Sequence, residues 1–394
     1  MKILILNTDY PEFLSWLYTQ HPGLEKGSYE EQMLARVESL NSEADFYSRN
    51  LRKLGYEADD IFANNEFMQR AWARENGVRL ERPTEVSQRW RAMLRAAKAV
   101  TAKAPLRYLR HMIRPFVPTL NGWPPWFYTI LEAQIKHYRP DVLYNQDLIG
   151  ISPWFLKQVK AGMRLLVGQH AAPLLRVRDF GCYDLVISSL PNFVDRFRQM
   201  QVPAELVRLA FEPKVLSRLN GRDGKFYVSF VGSLSPHHEA RIKLLEDLCA
   251  RFNLKIWGRG IEGLAKSSPI RRCYMGQAWG LEMYRILRHS QITLNHHIGI
   301  AGSFANNMRL YEATGVGTLL ITDWKENLSE IFELGRQVVA YRSSQECAEL
   351  IRHYLEHHAQ REAIARAGQQ RTLNEHTYYH RTHRLVEILE HHMP

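Results

Sequence analysis

The chain has 394 residues, 45% hydrophobic and 24% charged, with 52 Lys and Arg against 41 Asp and Glu. That balance excludes disordered, collagen-like and disulfide-scaffold classes and predicts two or three domains with sizeable cores. The net charge of +11 points to an anionic partner: nucleic acid, a membrane surface or a phosphorylated substrate.

In chain order, Lys2–Leu6 reads as a short buried strand, with too few apolar residues before Asn7 for a signal-peptide core. Ser28 and Glu31 make a capping box ahead of a helical pattern. Its apolar stripe is Met33, Leu34, Val37, Leu40, Tyr47, Leu51 and Leu54, and Gly55 stops it. A strand follows at Glu57–Phe62. Strand signals then vanish from Glu66 to Pro118. This segment holds twelve Lys or Arg against four Glu, and so eight of the eleven net charges. With Trp72, Trp90, Tyr108 and Phe116 it reads as a basic amphipathic helical insertion. It fits a solvated helical face, a membrane-surface face near a lipid-linked acceptor, or a protein-acceptor groove. Nucleic acid is the weaker reading, because no recognition motif accompanies the charge.

Strands at Asp141–Tyr144, Arg164–Val167, Leu185–Ile187 and Glu205–Leu209 extend a first β-α-β array. After the turn-rich stretch Leu219–Lys225 a second array begins. Its strands are Phe226–Val231, Leu254–Trp257, Gln291–Leu294, Thr318–Ile321 and Val338–Ala340. Its helices are Glu239–Arg251, Leu281–His289, Met308–Thr314 and Ser344–His357, and the tail is helical from Gln360. The expected fold is α/β, with two Rossmann-like parallel-sheet domains facing a cleft. They span 1–212 and 213–375, and a C-terminal helix, 376–394, packs back on the first. No apolar run reaches the roughly 18–20 residues of a membrane span. Cys182, Cys249, Cys273 and Cys347 are widely spaced and read as reduced thiols. The expected setting is cytoplasmic, with peripheral contact to the inner face of a membrane through 66–118. The adjacent His-His pairs lack metal-ligand spacing and no D-x-D triplet occurs, so no metal is assigned.

The second array carries glycine at successive strand ends: FVGSL at 230–234, IWGRG at 256–260 and YMGQAW at 274–279. Then come SQITLN at 290–295, SFANNMRLYEATGVG at 303–317 and LLITD at 319–323. Ligands of parallel sheets bind beyond the carboxyl ends of strands, where glycine admits close approach and helix N-termini face phosphate. The order Gly232-Ser233, Arg241, Gly276, Tyr284, Leu287, Ser290 to Asn295, Arg309, Glu312, Gly317 and Thr322-Asp323 resembles a known donor domain. It is that of GT-B glycosyltransferases of the "group 1" branch, in its CgeB-type (spore-maturation-protein-like) form. The likeness covers about Tyr227 to Tyr378.

The resemblance implies a transferase that moves a sugar from a nucleoside-diphosphate sugar to an unnamed acceptor, without metal or further cofactor and with retention of configuration. It implies that Glu312 accepts hydrogen bonds from ribose hydroxyls and that Tyr274, Met275 and Gly276 meet the base. Gly232, Ser233 and the amides of Asn306, Asn307 and Met308 then face the diphosphate, with Arg241 and Arg309 as cations. One departure is Phe304, where many retaining members place a first Glu; Asn306 or Asn307 is the substitute. In the first domain His170 is the catalytic candidate and Asp147 the second candidate base. Asp9 and Asn145 are acceptor-side candidates. Two other readings remain: a catalytically silent nucleotide- or glycan-binding partner, and a nucleotide-sugar epimerase on the same architecture.

Overall fold

A computed structural model describes residues 1–80, 123–172, 180–219, 221, 226–235 and 238–394. Most of the expected basic insertion, 81–118, lies outside the described residues. Of that segment the structure describes helix Glu66–Glu75, capped by the Asn65 side chain.

The first sheet has six parallel strands: β1 Lys2–Asn7, β2 Glu57–Phe62, β3 Val142–Asn145, β4 Leu165–Gln169, β5 Leu185–Ser188 and β6 Ala204–Leu206. Their spatial order is β2-β1-β3-β4-β5-β6. Alternation splits each strand between two cores. Ile3, Ile5, Val142, Tyr144 and Val167 face one side, with Tyr47 and Leu51. Leu4, Leu6, Leu143, Leu166 and Val186 face the other, under Phe127, Leu131, Phe155 and Phe197. Each such side chain is essentially inaccessible, and burial of one contributes about 1.5–3 kcal/mol.

The second sheet holds β7 Phe226–Val231, β8 Leu254–Trp257, β9 Ser290–Asn295, β10 Leu319–Asp323 and β11 Val339–Tyr341, in the order β11-β10-β9-β7-β8. All its pairings are parallel. Two parallel sheets, each covered by helices, make the GT-B architecture expected from the sequence. Helix Tyr378–His392 crosses from the second domain to the first, where the Tyr378 ring packs 5.0 Å from Phe46 and 5.2 Å from Tyr47. No helix among the described residues is long and apolar enough to cross a membrane.

The long helix expected after Ser28 is two helices, Tyr29–Glu38 and Phe46–Lys53. Between them Leu40, Ser42 and Ala44 take positive φ of 55°, 49° and 40°. The apolar stripe was misleading: Leu34 is 60% exposed, while Gln32 and Arg36 form the inward face. Arg36 is held there by both oxygens of Asp9, at 2.7 and 2.8 Å, and by stacking on Phe13 and Phe62. A buried ion pair replaces the apolar contact that the periodicity predicts.

Candidate functional site

Three backbone loops at the carboxyl end of the second sheet interlock. The Gly232 amide donates to the Trp257 carbonyl at 2.9 Å and the Leu234 amide to Arg259 at 2.8 Å. At Gly258 a Cβ would stand 1.8 Å from the Gly232 oxygen, so only glycine fits there. The Gly258 amide in turn donates to the Gly276 carbonyl at 2.9 Å.

These loops face the first domain across a cleft of about 370 Å³. Gly232, Ser233, Gly258 and Arg259 line one wall, with Gln277, Ala278 and Trp279 beside them. Met308, Arg309 and Glu312 supply the floor, from the first turns of helix Met308–Gly315. The first domain contributes Tyr10 and the loop residues Asn41, Ser42 and Glu43.

Glu312 is buried, and its Oε2 lies 2.7 Å from the Arg309 guanidinium. Burial raises the Glu312 carboxyl above its ordinary range, while Arg309 and the Tyr284 hydroxyl pull it down. Arg309 also reaches the Val231 carbonyl at 3.2 Å, which ties this helix to the glycine loop. Arg259 lies 34% exposed at the opposite lip, 3.8 Å above the Tyr10 ring and 3.7 Å from Glu12. Two guanidinium groups and the opening turn of a helix thus border one cleft, a setting suited to an anionic ligand.

Several sequence expectations are placed differently. Arg241 does not reach the cleft: its guanidinium donates to the carbonyls of Ser233 (3.0 Å) and His296 (3.1 and 2.5 Å). It is a buried strut under the glycine loop, and burial lowers it to about 10. Tyr274, Met275 and Gly276 extend the sheet beside β8, with the Met275 amide on the Ile256 carbonyl at 2.8 Å. The residues that reach the cleft are the next three, Gln277 to Trp279. Asn307 caps its own helix by accepting from the Arg309 amide at 2.9 Å, and its Nδ2 donates to Asn295. Asn306 precedes it, half-buried. Phe304 packs among apolar neighbours that include Ala301.

On the first domain, strand parity decides which face of the sheet each side chain takes. His170 is buried, its ring 5.8 Å from Phe193 and 6.3 Å from Phe197, and it points into the core. Its neighbour Gln169 turns the other way, towards Tyr144 and Glu43. Asn145 is wholly buried and donates to the Tyr183 hydroxyl at 2.8 Å. Asp147 accepts from the Gly150 amide (2.6 Å) within its own turn and from the hydroxyl of Thr8 (2.8 Å), the residue that follows β1. Asp9 is occupied by Arg36. None of these four lines the interdomain cleft. Sequence reasoning missed Glu43, Arg259 and Gln277 to Trp279. The signals were there: an Asn-Ser turn pair within the supposed helix, and an Arg between two glycines after β8.

Residues 240–387 match the family model described as Glycosyl transferase-like. No curated protein matches the chain. Solved structures similar in fold include a glycosyltransferase from Rickettsia africae, with 11% identity, TM-score 0.56, and 99% of this chain and 98% of that one covered. HepE from Anabaena in complex with UDP-glucose gives 13% identity, TM-score 0.56, and 99% and 100% coverage. Sucrose-phosphate synthase from Thermosynechococcus elongatus gives 11% identity, TM-score 0.53, and 99% of each chain. The family match makes the second domain glycosyl transferase-like, and the shared fold bears out the expected GT-B architecture.

Proposed function

We propose that this chain, GT-B in fold and glycosyl transferase-like in its second domain, moves a sugar from a nucleoside-diphosphate sugar to a hydroxyl acceptor. The observation that carries this reading is the cleft itself. Glu312 and Arg309 project from one helix turn inside the matched segment, opposite the Gly232-Ser233 and Gly258-Arg259 loops.

In this reading the Glu312 carboxylate accepts hydrogen bonds from the ribose hydroxyls. The diphosphate lies towards Gly232, Ser233 and the head of helix Met308–Gly315. Arg309 and Arg259 stabilise the charge that grows on the leaving diphosphate as the glycosidic bond breaks. Fixed guanidinium and amide donors suit that task without a metal ion. The base lies near Gln277 and Ala278, one step beyond the segment the resemblance indicated. The CgeB-type branch and retention of configuration are carried by the resemblance. A UDP donor is favoured by the complexes of HepE with UDP-glucose and with UDP and glucose.

A thermal-shift screen of UDP, GDP and TDP and their sugars tests the reading, followed by assay of nucleoside diphosphate release with a panel of acceptors. Stabilisation by one nucleotide class and turnover of its sugar are expected. Binding without any turnover would favour the silent partner reading.

A further inference from the structure

A second, smaller cavity of about 80 Å³ lies at the carboxyl ends of β1, β2 and β3, lined among others by Asn7, Asp9, Phe62 and Gln146. Strand order reverses there, at the neighbouring strands β1 and β3, which is where parallel sheets bind ligands. Ser42 and Glu43 line both this cavity and the interdomain cleft, so the Glu43 carboxylate stands where the two meet.

The loop that carries Glu43 is held against its backbone preference. Leu40, Ser42 and Ala44 all have positive φ, a cost of about 1–3 kcal/mol each that persists only where the surroundings enforce it. Beyond Glu43, both amide atoms of Gln146 are buried with no hydrogen-bond partner among the described residues. A buried donor and acceptor left unmet in a native fold call for an explanation. The other carboxylate of the cavity, Asp9, is tied through both oxygens to Arg36. Glu43 is bonded by Gln169, which leaves its carboxylate further lone pairs with which to accept.

We propose that Glu43 and Gln146 form the acceptor subsite, in which the Glu43 carboxylate accepts the hydrogen bond of the attacking hydroxyl and takes its proton as the hydroxyl oxygen bonds the donor's anomeric carbon and the bond to the diphosphate breaks, while the Gln146 amide engages a second oxygen beside it. The proposal rests on the transferase reading and extends it to the acceptor side. It selects acceptors that carry two neighbouring oxygens, as the vicinal hydroxyls of a sugar do. Only ionised Glu43 accepts in this way. Burial pushes it up to about 7, opposed by Arg36 and Gln169 and assisted by Asp60. Asp9 shares its smaller cavity, and Arg259, Arg309 and Glu312 face it across the cleft. Transfer therefore rises with pH through neutrality.

The test compares wild type, Glu43→Gln and Gln146→Ala. UDP binding is measured by calorimetry, and UDP release from UDP-glucose with mono- and disaccharide acceptors is followed from about pH 5.5 to 8.5. Glu43→Gln is expected to bind UDP within about twofold of wild type, to lose about thirtyfold or more in release, and to lose the acid limb of the pH profile. Gln146→Ala is expected to raise the acceptor KM about tenfold with kcat little changed. An unchanged rate and pH profile in Glu43→Gln overturns the proposal. So does loss of UDP affinity together with a lowered melting temperature, which marks a structural loop residue. Wild type that binds UDP but turns over no nucleotide sugar overturns the transferase reading first, and this one with it.

Discussion

Gly280 of the second domain presses on Ser39 of the first so closely that a Cβ on Gly280 would lie 2.0 Å from the Ser39 carbonyl oxygen. Next to it the Leu281 amide donates to that same carbonyl at 2.8 Å, and the Gly280 amide donates to Asn41 Oδ1 at 3.2 Å. The strained loop that carries Glu43 is thus clamped by the start of a helix from the opposite domain.

Gly280→Ala is expected to open this clamp. Its φ of +50° adds strain to the overlap, so a loss of about 1–3 kcal/mol in stability and about tenfold or more in transfer is predicted. Gly299→Ala, where a Cβ meets nothing within 4 Å and φ is unexceptional, is the neutral control. Thermal melts and initial rates of the two variants decide the matter.

Asp9 and Arg36 have almost no exposed side-chain surface. Removing one partner leaves a buried charge, so Asp9→Asn and Arg36→Met are each predicted to lose about 3–5 kcal/mol. The double variant is predicted to recover part of that loss, measured as a double-mutant cycle in denaturant. Additive losses would show that the pair is not coupled.

Arg259 reaches the cleft from the lip and stacks on Tyr10. Arg259→Ala is predicted to lower kcat/KM for the nucleotide sugar about tenfold, and Arg259→Lys to restore only part of it, because stacking and the planar fork are lost. Melting temperature should barely move, since the group is partly exposed.

His376 is buried, with Nε2 donating to the Ile331 carbonyl at 2.9 Å and Nδ1 accepting from Arg381 at 2.8 Å. Burial lowers it to about 4, so the folded state holds it neutral where the unfolded chain would protonate it. Its contribution to stability is present above about pH 6.5 and is lost as pH falls towards 4, on the order of 3 kcal/mol in all. The stability difference between wild type and His376→Gln is expected to grow by roughly that amount as pH is raised from about 4 to 6.5. Glu43 and Asp60, both pushed up to about 7, act in the opposite sense and remain in the variant.

The second domain was the more legible in sequence because its signals are local. Short apolar runs ending in glycine place β7 and β8, and the helix that bears Glu312 follows directly from SFANNM. What failed were decisions that depend on tertiary partners. The Leu40 to Ala44 loop interrupts a continuous apolar stripe because the opposite domain holds it in left-handed backbone. His170 and Asn145 sit one residue from Gln169 and Gln146, and a single step along a strand end turns a side chain to the other face of the sheet. Arg241 has the composition of an anion ligand, yet two nearby backbone carbonyls take its donors.

The central claim is that Glu312 anchors a nucleotide in the interdomain cleft. Calorimetric titration of UDP, with GDP and TDP alongside, into wild type and Glu312→Ala tests it most directly. Saturable binding of one nucleoside diphosphate to wild type is expected, about a hundredfold weaker or absent in a Glu312→Ala variant that still melts cooperatively. Equal affinity in the two proteins, or no binding of any nucleoside diphosphate to wild type, would contradict it.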